Sequence, residues 1–261
     1  MQTTNFWYNT PYDYKERMKK MLELKNVGFQ AEDDNKEILR DVSLKIDDKI
    51  VVITGPNGGG KSTLAKVIAG IVQPTSGQIL LDGEDITNYS VTERAKAGIS
   101  LAFQQPVRFK GLTVRDLITI AAGHDLTMDE ACSYLSEVGL CAKDYIDREL
   151  NASLSGGEIK RIEIATILAR GSKFSVFDEP EAGIDLWSFR SLIHVFEKMQ
   201  RENDGTILII SHQERILNIA DKIIYIKDGM VEKYGPREEV LPGLMHTSKA
   251  GCDVLMNKME D

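Results

Sequence analysis

The stretch Gly55-Pro56-Asn57-Gly58-Gly59-Gly60-Lys61-Ser62-Thr63 constrains this chain more than any other. It fits the spacing G-x-x-x-x-G-K-[ST], and its flanks are those the spacing needs. Ile50-Val51-Val52-Ile53-Thr54, just before it, is a short β-branched run that reads as a buried strand. Leu64, Val67 and Ile68, just after it, have helical spacing. Strand, glycine loop and helix together bring main-chain N–H groups and a helix N-terminus onto one anion. Glycines serve here because side chains would block the approach of backbone to phosphate. On this reading the loop from Gly55 to Thr63 cradles the phosphates of a nucleotide. Lys61 reaches the β- and γ-phosphates, and the Ser62 hydroxyl ligates Mg2+.

The rest of the composition sets bounds. A length of 261 residues suits one sizeable domain with room for an inserted subdomain. The net charge of −8 argues against nucleic acid as the main partner, because phosphate neutralisation needs a basic face. No apolar run approaches the ~18 residues of a membrane span, so a transporter served by this chain would carry its membrane part on another polypeptide. Cys132, Cys141 and Cys252 are odd in number and lack CxxC spacing. That suits a reducing cytoplasm and gives no metal cage. Residues 1–20, with Phe6, Trp7, Tyr8, Tyr12 and Tyr14, have no apolar core of a secretory signal and read as an N-terminal extension. Residues 246–261 read as a C-terminal tail.

Strand and helix signals alternate along the middle of the chain. Leu22 to Phe29, Gln78 to Leu81, Ile99 to Phe103, Lys173 to Phe177 and Thr206 to Ile210 read as strands. Val114 to Ala121 and Asp185 to Arg201 read as helices, and Thr127-Met128-Asp129-Glu130 opens another with a capping box. Asp228-Gly229 between Ile223–Ile226 and Met230–Tyr234 marks a hairpin. Such alternation implies a mostly parallel sheet with helices on its faces. Residues 105–165 lack strand signals and read as a helical insertion.

Two further stretches carry chemistry. Phe174-Ser175-Val176-Phe177 is an apolar strand ending in Asp178-Glu179, at the edge where α/β sheets bind ligands. Adjacent acids at a strand end also suit a solvated loop. Beside the glycine loop they read as a Mg2+ holder, Asp178, and a group that orients or deprotonates the attacking water, Glu179. Leu154-Ser155-Gly156-Gly157-Glu158 precedes a strong helix signal and forms a second anion-ready helix N-terminus. One triphosphate cannot easily occupy both loops of one chain. Two copies arranged head to tail resolve this, each loop completing the other's site.

These residues resemble the ATP-binding cassette family over nearly all of residues 22–235. The resemblance implies an α/β P-loop core with a mixed sheet (residues 21–104 and 166–245) and an N-terminal antiparallel β subdomain. It also implies an inserted α-helical subdomain (105–165) carrying the signature. The expected cofactors are ATP and Mg2+, and the expected activity is ATP hydrolysis by a dimer in which Ser155, Gly156 and Gly157 bind the nucleotide in trans. Gln104 falls at the family's Q-loop position, near Mg2+ and water. Ala182-Gly183-Ile184-Asp185 resembles the D-loop, and His212 the switch histidine that contacts the γ-phosphate.

Within the family, several variants look like the SufC branch, the cytoplasmic ATPase of SUF iron–sulfur cluster assembly. Glu158 stands where transporter subunits usually carry Gln, and the D-loop approach reads Glu179-Pro180-Glu181-Ala182-Gly183. The Q-loop reads Ala102-Phe103-Gln104-Gln105-Pro106. Asp185 to Phe189 and Gln105 to Gly111 look closest to clostridial and archaeal members. The implied partner is a SufB-like scaffold, with or without a SufD-like protein; the alternative is a membrane transporter's ATP-binding subunit. Ala31 occupies the position where most cassettes place an adenine-stacking aromatic, with Phe29 a neighbouring substitute. Lys160 is a candidate to pair with Glu179 in the open monomer, the alternative being an exposed helix lysine.

Overall fold

A computed structural model describes residues 21–31, 36–151, 153–202 and 204–244. The aromatic N-terminal extension and the tail expected at residues 246–261 lie outside the described residues.

Among the described residues, ten strands form two sheets. β1 (Leu22–Gln30), β2 (Glu37–Ile46), β4 (Ser76–Leu81) and β5 (Glu84–Asp85) make an antiparallel sheet in the order β2-β1-β4-β5. β3 (Ile50–Thr54), β6 (Ile99–Ala102), β7 (Phe174–Asp178), β8 (Thr206–Ile210), β9 (Lys222–Lys227) and β10 (Met230–Pro236) make the second, in the order β10-β9-β3-β8-β7-β6. This sheet is parallel except for β10, which closes on β9 through Asp228 and Gly229, both with positive φ (49° and 78°). Residues 237–244 then turn helical, so the hairpin does not end the fold. The fold is thus a mixed α/β core with an antiparallel β subdomain at its N-terminal side, as expected from the sequence.

Alternation explains why the central strands are apolar throughout. Ile50 and Val52 of β3, with Ile207 and Ile209 of β8, enter one core; Val51, Ile53, Leu208 and Ile210 enter the other. A strand buried on both faces needs side chains of both parities to be apolar. The first core lies on the face toward the inserted helices. It runs without a break from β3 to Val114, Leu135, Ile162 and Ala165. Those residues belong to α3 (Val114–Ala122), α4 (Met128–Glu137) and α6 (Gly156–Arg170), with the one-turn α5 (Ala142–Tyr145) between. The second core packs α1 (Lys61–Ala69) and the antiparallel sheet against the opposite face.

The capping box expected at Thr127 and Glu130 is present, and Ser90–Glu93, Thr113–Asp116 and Ser155–Glu158 form three more among the described residues. Differences from the sequence reading fall at weak signals. β7 includes Asp178, so this carboxylate is held by the strand itself, and β6 stops at Ala102, leaving Phe103 and Gln104 in irregular backbone. β2 and α2 (Val91–Ala97) are two elements the sequence reading passed over. α2 is tied to α1 by Arg94, whose fully buried guanidinium donates to the carbonyls of Val67, Ile68, Tyr89 and Thr87. α7 (Leu186–Glu202) and the one-turn α8 (Glu214–Leu217) precede the helical residues 237–244.

Candidate nucleotide site

The glycine loop leaves β3 and enters α1 through Gly60, which caps the helix with φ 101°. Gly55 has φ 137°, and a Cβ there would sit 1.9 Å from the carbonyl oxygen of Ile226. Any side chain at this position would force β9 away from the loop, so glycine is required for the close approach. Lys61 is buried, and its ammonium donates to the carbonyls of Gly55 (2.8 Å) and Pro56 (2.9 Å), curling back over the loop it terminates. Burial pulls its pKa down, opposed by the negative charges of Glu179 and Asp178.

The carboxylates stand beside it. Ser62 Oγ donates to Asp178 Oδ1 over 3.1 Å. Asp178 is buried, which raises its pKa; the Ser62 hydrogen bond acts in the opposite direction and Glu179 adds to the rise. Glu179 has a left-handed backbone with φ 45°, a conformation that costs an L residue roughly 1–2 kcal/mol. Its N–H donates to Ile210 O on β8, and its own carbonyl accepts from Ala182 N, so neighbouring backbone fixes the turn. The Gln104 amide donates to Glu179 Oε2 over 2.6 Å, linking the irregular segment after β6 to the end of β7. His212 follows β8, with Nδ1 3.4 Å from Thr54 Oγ1. Loss of solvation lowers its pKa, as does the Lys61 ammonium, while Glu179 opposes them.

Lys61, Ser62, Gln104, Asp178, Glu179 and His212, distant in sequence, thus converge at the C-terminal ends of β3, β7 and β8. A cleft of about 540 Å³ opens over Lys61, Ser62, Gln104 and Glu179, with Asp178 and His212 outside its lining. Asn57, Gly58, Gly60 to Thr63, Gln104 and Glu179 line it, joined by Lys36, Glu37, Ile38 and Arg40 at the start of β2 and by Asp228 and Gly229 from the hairpin turn. This second wall was not anticipated from sequence. Its signal is weak: Leu39 is buried while its neighbours Ile38 and Arg40 line the cleft, but Glu37 lines it too, so strict alternation does not mark the wall. Neither Phe29 nor Ala31 is among the lining residues; Phe29 packs partly buried against the second core.

Ser155, Gly156 and Gly157 are not brought to the glycine loop of the same chain. Ser155 caps α6, and its loop lies beside the D-loop segment: a Cβ on Gly157 would meet Gly183 O at 3.4 Å. Glu158 closes the capping box and accepts from the Tyr145 hydroxyl and from Ser155 N. The Tyr145 bond first, then those from Ser155, hold its carboxyl down to about 2.

Lys160 corrects both expectations made for it. It is 1% exposed, so it is no surface lysine, and it does not pair with Glu179. Its ammonium donates to the carbonyls of Phe103 and Gln104 and lies 3.7 Å from Glu163 Oε2. Glu163 Oε1 in turn accepts from Phe103 N (2.9 Å). One lysine and one glutamate of α6 therefore grip both polar groups of the Phe103 backbone.

The donors around Asp178 fit Mg2+. A hydroxyl, a carboxylate and the oxygen of the Gln104 amide are hard ligands. Asp178 in particular is buried with a raised pKa, a carboxylate short of positive charge.

A phosphate-binding loop on the central strand of this sheet, backed by a strand that ends in two acids, defines a P-loop ATPase. The family model described as ABC transporter matches residues 39–182. An uncharacterized ABC transporter ATP-binding protein of Methanocaldococcus jannaschii is 38% identical over 79% of this chain and 86% of its own length. A putative ABC transporter ATP-binding protein of Pyrococcus abyssi is 34% identical over 84% of this chain and 85% of its own. Among solved structures, a dimeric post-hydrolysis ATP-binding cassette bound to ADP and Pi superposes with a TM-score of 0.74 at 25% identity, covering 83% of this chain and 98% of that one. The chain belongs to the ABC transporter ATPase family; it binds ATP and is an ATP hydrolase.

Proposed function

We propose that this chain works as one half of a head-to-tail pair, closed by ATP, that drives a separate partner polypeptide. The carrying observation is the split of the anion sites. The glycine loop with Gln104 and Glu179 faces a single cleft, while Ser155 at the head of α6 stands outside it. A second copy supplies the missing helix N-terminus, and the solved relative described as a dimer supports that arrangement.

In this reading the loop N–H groups and Lys61 hold the phosphates, Lys61 exchanging its bonds to Gly55 O and Pro56 O for phosphate oxygens. Ser62 and Asp178, with the Gln104 amide oxygen, hold Mg2+, which supplies neutralisation of phosphate charge when bound. Glu179, steadied by Gln104, orients the attacking water and takes its proton. His212, braced on Thr54, contacts the γ-phosphate. Binding energy realised only in the closed pair moves the helical insertion and whatever partner is docked on it.

The names of the relatives favour a transporter's ATP-binding subunit, and no helix among the described residues is long and apolar enough to cross a membrane. The partner would then be a membrane subunit. A second reading, SUF cluster assembly on a SufB-like scaffold, is favoured by one observation. Glu158 keeps a negative charge at the signature, where transporter cassettes usually carry neutral Gln. Capture of the tagged chain with its native partner decides between the two. A membrane subunit supports the first, a soluble β-helical scaffold the second, and capture of neither with intact ATPase activity would sink both.

A further inference from the structure

Among the described residues no aromatic ring lines this cleft, yet the wall opposite the glycine loop is well built. β2 is clamped onto the loop from two directions. Arg40 N donates to Gly229 O, and Gly229 approaches so closely that a Cβ there would lie 2.4 Å from Ile38 O. A Cβ on Gly60 would likewise meet Ile38 O at 3.0 Å. The backbone of Ile38 and Arg40 is therefore held against the hairpin turn, and both side chains line the cleft with Lys36 and Glu37. Ala31 N donates to Lys36 O, bringing the end of β1 beside the start of β2. The Ala31 methyl offers little area in place of an aromatic ring.

Of the wall residues only Arg40 carries a flat, polarisable group. A guanidinium plane stacks on nucleobases as an aromatic ring does. Its Nε lies 3.1 Å from Glu37 Oε2 in a solvent-exposed pair at the mouth of the cleft. Ile38, half-buried beside it, adds an apolar edge.

We infer that Arg40 is the base platform of this site: the nucleotide's base lies against its guanidinium, in place of the missing aromatic at position 31. The assignment rests on the cleft being the nucleotide site. Because a guanidinium plane accepts any base, the site discriminates weakly between adenine and guanine.

The test separates base from phosphate contacts by comparing ATP with inorganic tripolyphosphate, each titrated with Mg2+ into the full chain. Arg40→Ala should weaken ATP about tenfold, the scale of one base stack, and leave tripolyphosphate affinity unchanged. Arg40→Lys, which keeps the charge and loses the plane, should behave like Arg40→Ala, and wild type should bind GTP within a few-fold of ATP. Equal losses for ATP and tripolyphosphate would make Arg40 a phosphate contact and overturn the inference; so would unchanged ATP affinity in either variant. Melting temperature and retained tripolyphosphate binding show that the variants fold. A wild-type chain that binds neither ligand would overturn the nucleotide site itself, a result distinct from failure of the platform.

Discussion

The ammonium of Lys160 donates to the main-chain carbonyl of Gln104 over 3.3 Å, across a separation of 56 residues. It joins the helix headed by the signature loop to the segment whose side chain holds Glu179. From Ser155 the path runs along little more than one turn of α6 to Lys160, then through the Gln104 backbone and its amide to Glu179. Movement of α6 relative to the sheet therefore reaches the carboxylate beside the glycine loop through packed, hydrogen-bonded groups.

Lys160→Ala should consequently lower ATP turnover rather than release it. Removing a buried cation strands the carbonyls of Phe103 and Gln104 and leaves Glu163 unpaired, a loss on the order of 3–5 kcal/mol in stability. Turnover of the isolated chain should drop about tenfold, as expected when a group acting through Glu179 is displaced, with ATP affinity retained. Lys160→Arg, still cationic, should recover part of the rate. A variant that hydrolyses ATP faster than wild type would instead restore the idea that Lys160 restrains catalysis.

Glu179 is held by Gln104 at the rim of the cleft, close to Lys61 and Asp178. Glu179→Gln should keep nucleotide binding and lose the proton acceptor, slowing hydrolysis by about 10²- to 10⁴-fold. ATP with Mg2+ should then hold the chain as a stable dimer, read by light scattering after gel filtration. A variant that remains monomeric with ATP while binding it tightly would count against the composite site.

Glu158 sits at the third position of α6, where its charge faces the same helix N-terminus offered to a second chain's phosphates. Gln preserves a capping box and removes the charge. Glu158→Gln should therefore strengthen ATP-driven dimerisation several-fold, corresponding to about 1 kcal/mol of relieved repulsion, while lowering the melting temperature, because Gln offers one acceptor oxygen where Glu158 uses two, to Tyr145 and to Ser155 N. Dimerisation that weakens would mean that the carboxylate contacts the partner chain favourably.

The glycine loop, the alternating central strands and the caps at Thr127 and Ser155 were legible in the sequence because each is a local pattern with one physical solution. β2 was legible too, in the alternation Val42-Leu44-Ile46, and went unread because charged residues interrupt it. The burial of Arg94 and Lys160 was not legible. Each charged side chain is satisfied by carbonyls from segments distant in sequence or from turns, and no spacing rule records such partners. The signature helix shows the same limit: polar residues on its inward face serve the Q-loop backbone, so its pattern does not separate a wet face from a dry one. The Arg40 wall depends on β2 lying against the hairpin turn, a relationship set by tertiary packing alone.

Glu181 provides a pH-dependent test of the buried cluster behind the site. Its Oε1 accepts from the fully buried Ser211 hydroxyl, while its buried Oε2 has no hydrogen-bond partner. Burial raises its pKa above the ordinary value of 4.5; the Ser211 bond and the Lys160 charge pull the other way without cancelling that rise. A carboxyl with a raised folded-state pKa binds its proton more tightly in the native chain than in the unfolded one. Its contribution is fully present below the unfolded value and is lost as pH climbs through the folded value. Glu181→Gln supplies a permanently neutral group that still accepts from Ser211. The melting temperature of the variant should therefore exceed that of wild type at pH 8, by roughly 2–4 °C for each kcal/mol regained, and the gap should shrink steadily toward pH 5. Glu163 and Asp178, also raised by burial, are present in both proteins and cancel in the difference. A gap independent of pH would show that Glu181 titrates alike in the folded and unfolded chains, and that its charge is not what limits stability there.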